Sequence, residues 1–378
     1  MFKNLLNLES AVEKNISIKQ FIYLIITIVL STATIFLPSI VAAKAAQDSW
    51  ISVFIATAFS IPVFFLYYKL AYMFKDRIIF SYIEDILGGF LGKIVSFLYQ
   101  LFFLHIATIM LRELIDIMRA AFMPKTPPIV FSIVTMIVVA YAVTKGFIAI
   151  VRMNEIIFPF GMALLGFVIF FSLPYVKMGN FLPILEYGIV PPIKGSIPLI
   201  SWMLESVVLL AIFPHISDSK KAFKGGIIAL LLICFALLLG VFAIGIFGAK
   251  TTADFKFAAL EMTRIIRLSN YFSRLDSIIM AIWIEGIYLK ITIFTYIISK
   301  GFAETLKYSD YRYAVLPIVT IMVPLSILIS LNIDELYNFM DRIFPYEMFV
   351  FEIFLPLFIY FIAKIKKLDK NNNVQRKT

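Results

Sequence analysis

Long apolar runs, each about the length of a membrane crossing and separated by short polar stretches, set the pattern of this chain. A crossing helix needs about 20 predominantly apolar residues. Ten runs meet or approach that length: Ile18–Ala42, Ser49–Met73, Gly92–Ile117, Pro128–Val143, Ile156–Leu173, Gly195–Pro214, Gly225–Phe247, Leu275–Ile298, Ala314–Leu331 and Tyr346–Ala363. Pro128–Val143 is the shortest. The reading is an all-α membrane protein with a segment 1–17, a ten-helix transmembrane domain 18–363 and a basic tail 364–378. No apolar core or small-residue cleavage site of a secretory signal is evident in the first residues.

Two runs are irregular at mid-length. The first carries Ser31-Thr32-Ala33-Thr34 and then Pro38. Either a continuous helix carries a hydroxyl packing patch there, or the helix is interrupted. The sixth has Pro198 early, Glu205-Ser206 in the middle and Pro214 at its end. Ten spans divide as five plus five, and interruptions at corresponding positions of two halves point to an inverted-repeat transporter core. The expected fold is therefore a 5+5 inverted-repeat bundle of the LeuT-like type, with helices 1 and 6 interrupted; no residue-level repeat is visible between the halves. Two amphipathic stretches lie between spans. Phe80–Phe90 reads as a short helix on the cytoplasmic surface. Ala253–Arg267 reads as a connector helix or a lid over the outer face.

Composition agrees with this picture. Of 378 residues, 61% are hydrophobic and 15% charged, and mean hydropathy is +0.95. Soluble domains carry nearer a quarter charged residues. The net charge of +10 reads as loop asymmetry, not nucleic-acid binding. With the N-terminus in the cytoplasm, about 21 lysines and arginines fall inside and about 12 outside. The external stretch Gly248–Arg274 goes against the trend with five basic residues. A single cysteine, Cys234, rules out a disulfide framework, and two histidines make a multi-histidine metal site implausible.

Ionisable groups inside a span are costly and mark function. His105 lies in the third span, Glu205 in the sixth and Lys290 in the eighth. Trp283, Gly286, Lys290 and Phe294 share one face of the eighth helix, at spacings of three and four. Glu285 falls off that face and is placed near the outer boundary. An interrupted first helix would offer free N–H groups to a carboxylate. Glu205 and carbonyls freed beside it would suit an ammonium, so a small zwitterion satisfies both ends. No nucleotide-binding loop, metal motif or nucleophile–base pair is present. The expectation is no enzyme, no cofactor and no metal; the bilayer and a small molecule are the expected partners.

The motifs resemble those of the spore germination receptor B-subunit family (GerAB/GerKB-like), a branch of the amino acid–polyamine–organocation transporter superfamily. The residues that carry the resemblance are Phe36-Leu37-Pro38 with Asp48-Ser49-Trp50-Ile51, and Ile86-Leu87-Gly88 with Leu91-Gly92-Lys93. Further along come Leu111-Arg112-Glu113 with Lys125-Thr126-Pro127, Val151-Arg152 with Glu155 and Pro159, and Ser273-Arg274-Leu275-Asp276-Ser277 before Trp283. Their order covers nearly the whole chain. The resemblance implies sensing of a nutrient germinant, an amino acid by preference, in the spore inner membrane, together with germinant receptor A and C subunits. It implies a pocket at Ser31, Thr32 and Ala33, His105 and Ile106, Leu204 and Glu205, and Lys290 and Phe294. A further expectation is that Lys290 stands in for the cation that ion-coupled relatives bind between the first and eighth helices. Ser31 and Ala33 replace glycines frequent in the family, Leu204 replaces a small residue, and His105 adds bulk. These departures imply a different or smaller ligand. The competing reading is a proton-coupled amino acid permease; a third is a structural scaffold without a pocket.

Overall fold

The computed structural model of the protein describes residues 16–266 and 276–368. Arg267, the Ser273–Leu275 part of the motif before Trp283, and most of the two terminal segments lie outside the described residues. Among the described residues the secondary structure is helical, apart from one isolated bridge between Ile16 and Ile216. Each of the ten apolar runs lands on helix. Among the described residues, seven helices are long and apolar enough to cross a membrane, eight if the bent pair Arg312–Leu328 and Ile333–Arg342 forms one span. In that count Ile18–Met73 stands as one unit, and Pro128–Thr144 is a shorter apolar helix.

The first helix, α1 (Ile18–Ala45), opens with a capping box in which Ser17 and Gln20 satisfy each other's backbone N–H. It then runs on without a break, with Pro38 inside it. The expected interruption at Ser31–Thr34 is therefore corrected. The hydroxyls there bond back along the helix, Ser31 to the Ile28 carbonyl at 3.3 Å and Thr34 to the Leu30 carbonyl at 3.1 Å. Such bonding keeps a small polar side chain inside a helix instead of freeing its backbone. The next helices are α2 (Ser49–Met73), α3 (Ile79–Leu87), α4 (Gly89–Ile117), α5 (Pro128–Thr144) and α6 (Phe147–Ser172). α6 begins nine residues before its apolar run was read to begin. The polar residues that hid its first turns face α1: Asn154 accepts from Thr27 at 2.8 Å, and Glu155 accepts from Gln20 at 2.7 Å.

The sixth run does change its winding. α7 (Val190–Met203) tightens into a 3₁₀ stretch over Leu204–Val208, returns to α-helix for Leu209–Ile212 and tightens again at Phe213–His215. A mid-helix 3₁₀ stretch marks strain or a hinge, and Glu205 sits in it. The chain continues with α8 (Ala222–Gly240), α9 (Ala258–Ile265), α10 (Asp276–Leu306), α11 (Arg312–Leu328) and α12 (Ile333–Arg342). It ends in Leu355–Ile365, after a π-helical stretch over Phe349–Phe354. The stretch read as one amphipathic helix, Ala253–Arg267, is split: Ala249–Asp254 and α9 are separate. α3 fulfils the expected short helix, but it buries Ile79, Phe80, Tyr82, Ile83 and Ile86 instead of lying on a surface.

α1 and α10 form the centre of the bundle. α1 packs against α6, α7, α8 and α10, and α10 packs against α1, α4 and α6. Gly286 allows the α1–α10 approach: a Cβ there would stand 2.9 Å from Ser31 Cβ and 3.3 Å from Ser31 Cα. Gly286→Ala is expected to cost about 1–3 kcal/mol, as overpacking does. Thermal unfolding of the purified protein is the check; an unchanged midpoint would mean that the contact relaxes freely.

Candidate functional site

Thr32 on α1, Glu205 on the 3₁₀ turn after α7 and Lys290 on α10 converge in the interior. Lys290 Nζ donates to Thr32 Oγ1 at 2.7 Å and to the two oxygens of Glu205 at 2.9 and 2.7 Å. The Lys290 and Glu205 side chains are 0% and 1% exposed. An ammonium has three donors, and all three are used. Trp202 Nε1 donates to the same Thr32 hydroxyl at 3.1 Å. The α7 ring and the α10 ammonium are thus joined through one α1 oxygen. Desolvating two charges is repaid only with good geometry and satisfied hydrogen bonds, and this pair has both.

A small cavity of about 10 Å³, room for about one water, adjoins the pair. Its polar groups are Thr32, Glu205, Lys290 and Glu113. Its walls are Ile106, Ile109 and Met110 of α4, Trp202 of α7, Met340 of α12, and Phe344. α12 turns by 100° from α11 and covers this region. It is held by Asp341 to Lys44 at 2.8 Å and by Asp334 to Lys256.

Of the nine residues read as a pocket, the fold brings Thr32, Glu205 and Lys290 into contact and puts Ile106 on the same cavity wall. Leu204 is buried next to Glu205, and its carbonyl faces the Tyr67 hydroxyl at 3.5 Å. The remaining four point elsewhere. Ser31 lines a different cavity, between α1, α6 and α10, and Ala33 lines one against α2 and α8. Successive helix positions are rotated by about 100°, so neighbours of Thr32 cannot share its view. Phe294, one turn beyond Lys290, packs on Phe103 at a ring separation of 5.6 Å. His105, about one-third exposed, pairs through Nδ1 with Glu347 at 2.6 Å and meets Phe339 edge-on.

Two buried acids were missed. Glu113 is 1% exposed, lines the cavity, and its Oε2 has no hydrogen-bond partner among the described residues. Its neighbour Arg112 is committed to Asp116 at 2.9 Å and to the Ile327 carbonyl at 3.3 Å. Glu113 was named only as part of the Leu111-Arg112-Glu113 motif, in an apolar run that stops at Ile117. The helix in fact carries on through a π-turn to Phe122. Glu352 is fully buried with both carboxyl oxygens unpartnered among the described residues, and its carbonyl accepts from Tyr67. An ionisable residue well inside the last apolar run was the signal for it.

Comparison with known proteins matches this architecture. The family described as "Spore germination protein" matches residues 15–334. Spore germination protein KB of Bacillus subtilis (strain 168) is 27% identical over 370 residues, covering 96% of this chain and 98% of that protein. The putative spore germination protein YfkT of the same organism is 29% identical, covering 88% and 91%. Among solved structures, MhsT in complex with L-phenylalanine superposes with a TM-score of 0.64 at 16% identity, covering 89% of this chain and 88% of that one. A nucleobase-cation-symport-1 family transporter, closed around bromovinylhydantoin, superposes with a TM-score of 0.53, covering 88% and 76%. With these helices wrapped around a buried lysine–glutamate pair in a LeuT-like transporter fold, the chain belongs to the spore germination protein family.

Proposed function

We propose that the chain is the B subunit of a nutrient germinant receptor, which binds a small zwitterion, an amino acid by preference, and signals to A and C subunits. The reading includes a place in the spore inner membrane with both termini in the cytoplasm. The observation that carries it is the Lys290–Glu205 pair at the edge of a mostly apolar cavity. An unbroken α1 offers no free N–H groups to a carboxylate, so side chains must meet both ends of the ligand. Lys290 meets the carboxylate and Glu205 the ammonium, and the ligand replaces the contact that these two make with each other. α1, α7 and α10 are tied at Thr32, so parting the pair shifts all three. A ligand moves such an equilibrium only by its differential affinity for the two arrangements. α12, which supplies Met340 to the cavity, is the element that has to move to admit it.

Glu205→Gln tests this reading. The amide still accepts from Lys290 but no longer counters an ammonium. Losing a buried charged partner costs about 2–5 kcal/mol in binding, and each 1.4 kcal/mol is tenfold. At least a 30-fold rise in the amino acid concentration needed for germination is expected, at unchanged protein level in the spore membrane. A wild-type response would remove the proposal. The transporter fold favours one alternative, a proton-coupled amino acid permease; uptake of labelled amino acid by proteoliposomes would select it.

A further inference from the structure

A second cavity lies between α1, α6 and α10, and neither Lys290 nor Glu205 lines it. The centre of a water-sized sphere has about 60 Å³ to move in. One water needs roughly 10–15 Å³ by the same measure, so the space suits about five heavy atoms. Leu30, Phe158, Met162, Ile282 and Trp283 supply an apolar wall. The hydroxyls that reach it are already engaged. Thr27 donates to Asn154, Ser31 bonds back to the Ile28 carbonyl, and Thr34 bonds back to Leu30 while accepting from Trp283 at 3.1 Å.

The charged group on this cavity is Glu285, half-buried and without a hydrogen bond or ion pair among the described residues. It borders the same cavity as Trp283 and Gly286, and Gly161 opposite leaves it room: a Cβ there would stand 3.7 Å from Glu285 Oε1. Among the described residues, no lysine or arginine lines the space. A carboxylate against apolar walls is costly unless a cation or donor meets it.

We infer that this cavity is a binding site for a small primary alkylammonium of about five heavy atoms, its ammonium on Glu285 and its alkyl group against Phe158, Met162 and Trp283. A free carboxylate on the ligand is disfavoured there, because no cation among the described residues lines the wall to receive it. The site is therefore complementary to the central one: an amine without an acid group, where the Lys290–Glu205 cavity takes both charges. The inference does not rest on the germinant-receptor reading.

Equilibrium dialysis of labelled isobutylammonium against the full-length purified protein in a neutral detergent tests it. Saturable binding is expected, at least tenfold weaker in Glu285→Gln, within about threefold of wild type in Glu285→Asp, and abolished when Met162→Trp fills the space. Excess isobutanol should not compete. Unaltered binding in Glu285→Gln would overturn the assignment. So would competition by isobutanol, or binding that survives Met162→Trp, which would place the amine elsewhere.

Discussion

Replacing Lys290 by methionine is expected to abolish the germination response and to lower the stability of the purified protein by about 3–5 kcal/mol, the usual cost of stranding one member of a buried ion pair. The length of the side chain is nearly kept, so the loss is one of charge and hydrogen bonds. Glu205 loses both of its short contacts to Nζ, and Thr32 loses one of two donors. The double variant Lys290→Met with Glu205→Gln separates stability from signalling. With no charge left stranded, its thermal midpoint should recover most of the deficit, since neutral replacement of a buried pair is often tolerated. Its response should stay absent, because neither end of a zwitterion is met. If Lys290→Met spores germinate with normal sensitivity, the pair is scaffolding and the binding mode proposed here is wrong.

Gly92→Ala is expected to be among the most damaging changes of a single methyl group. Gly88, with φ of +89°, turns the chain between α3 and α4, and Gly92 then lets the two helices cross backbone to backbone. A Cβ on Gly92 would lie 2.4 Å from Glu84 Cα, 3.0 Å from Glu84 N and 3.1 Å from the Ile83 carbonyl oxygen. Overpacking costs about 1–3 kcal/mol when side chains can shift, and here the obstacle is main chain. A loss of about 3 kcal/mol or failure to reach the membrane is expected, read from thermal unfolding and membrane yield. Gly89→Ala, three residues earlier in the same helix, meets nothing within 4 Å. It should be neutral or stabilising by up to about 1 kcal/mol. Equal behaviour of the two variants would mean that the α3–α4 crossing is looser than described.

These glycines also illustrate how much of the protein was legible in its residues. Leu91-Gly92-Lys93 was recognisable as a motif, but why it holds a glycine becomes visible only when α3 lies across it. Apolar run length found the helices, because a crossing helix must satisfy its backbone internally whatever its neighbours do. Mid-span charge found Glu205 and Lys290 for a related reason: isolated charges are not tolerated at that depth, so these two had to find each other. Winding was harder to read. Ser31, Thr32 and Thr34 looked like a break, yet the Ser31 and Thr34 hydroxyls return to carbonyls three and four residues back and leave the helix backbone paired. At Glu205 the expected disturbance is real, as a tightened turn.

Side-chain direction was the least legible feature. Ser31, Ala33, His105 and Phe294 lie on the helices expected to surround the site but look away from it. Glu113 looks in, although it was read only as part of a motif. Facing is set by the rotation of each helix against its neighbours, which the chain's own periodicity does not contain when helices are apolar all round.

The pairing of Lys290 with Glu205 has an electrical consequence. Carrying one elementary charge through the transmembrane potential is worth about 2.3 kcal/mol per 100 mV. A lysine and a glutamate displaced together carry almost no net gating charge, and a zwitterion that takes up both adds none. A conformational change that carries this pair as a unit is therefore nearly blind to voltage, and chemical occupancy, not the energised state of the membrane, sets its position.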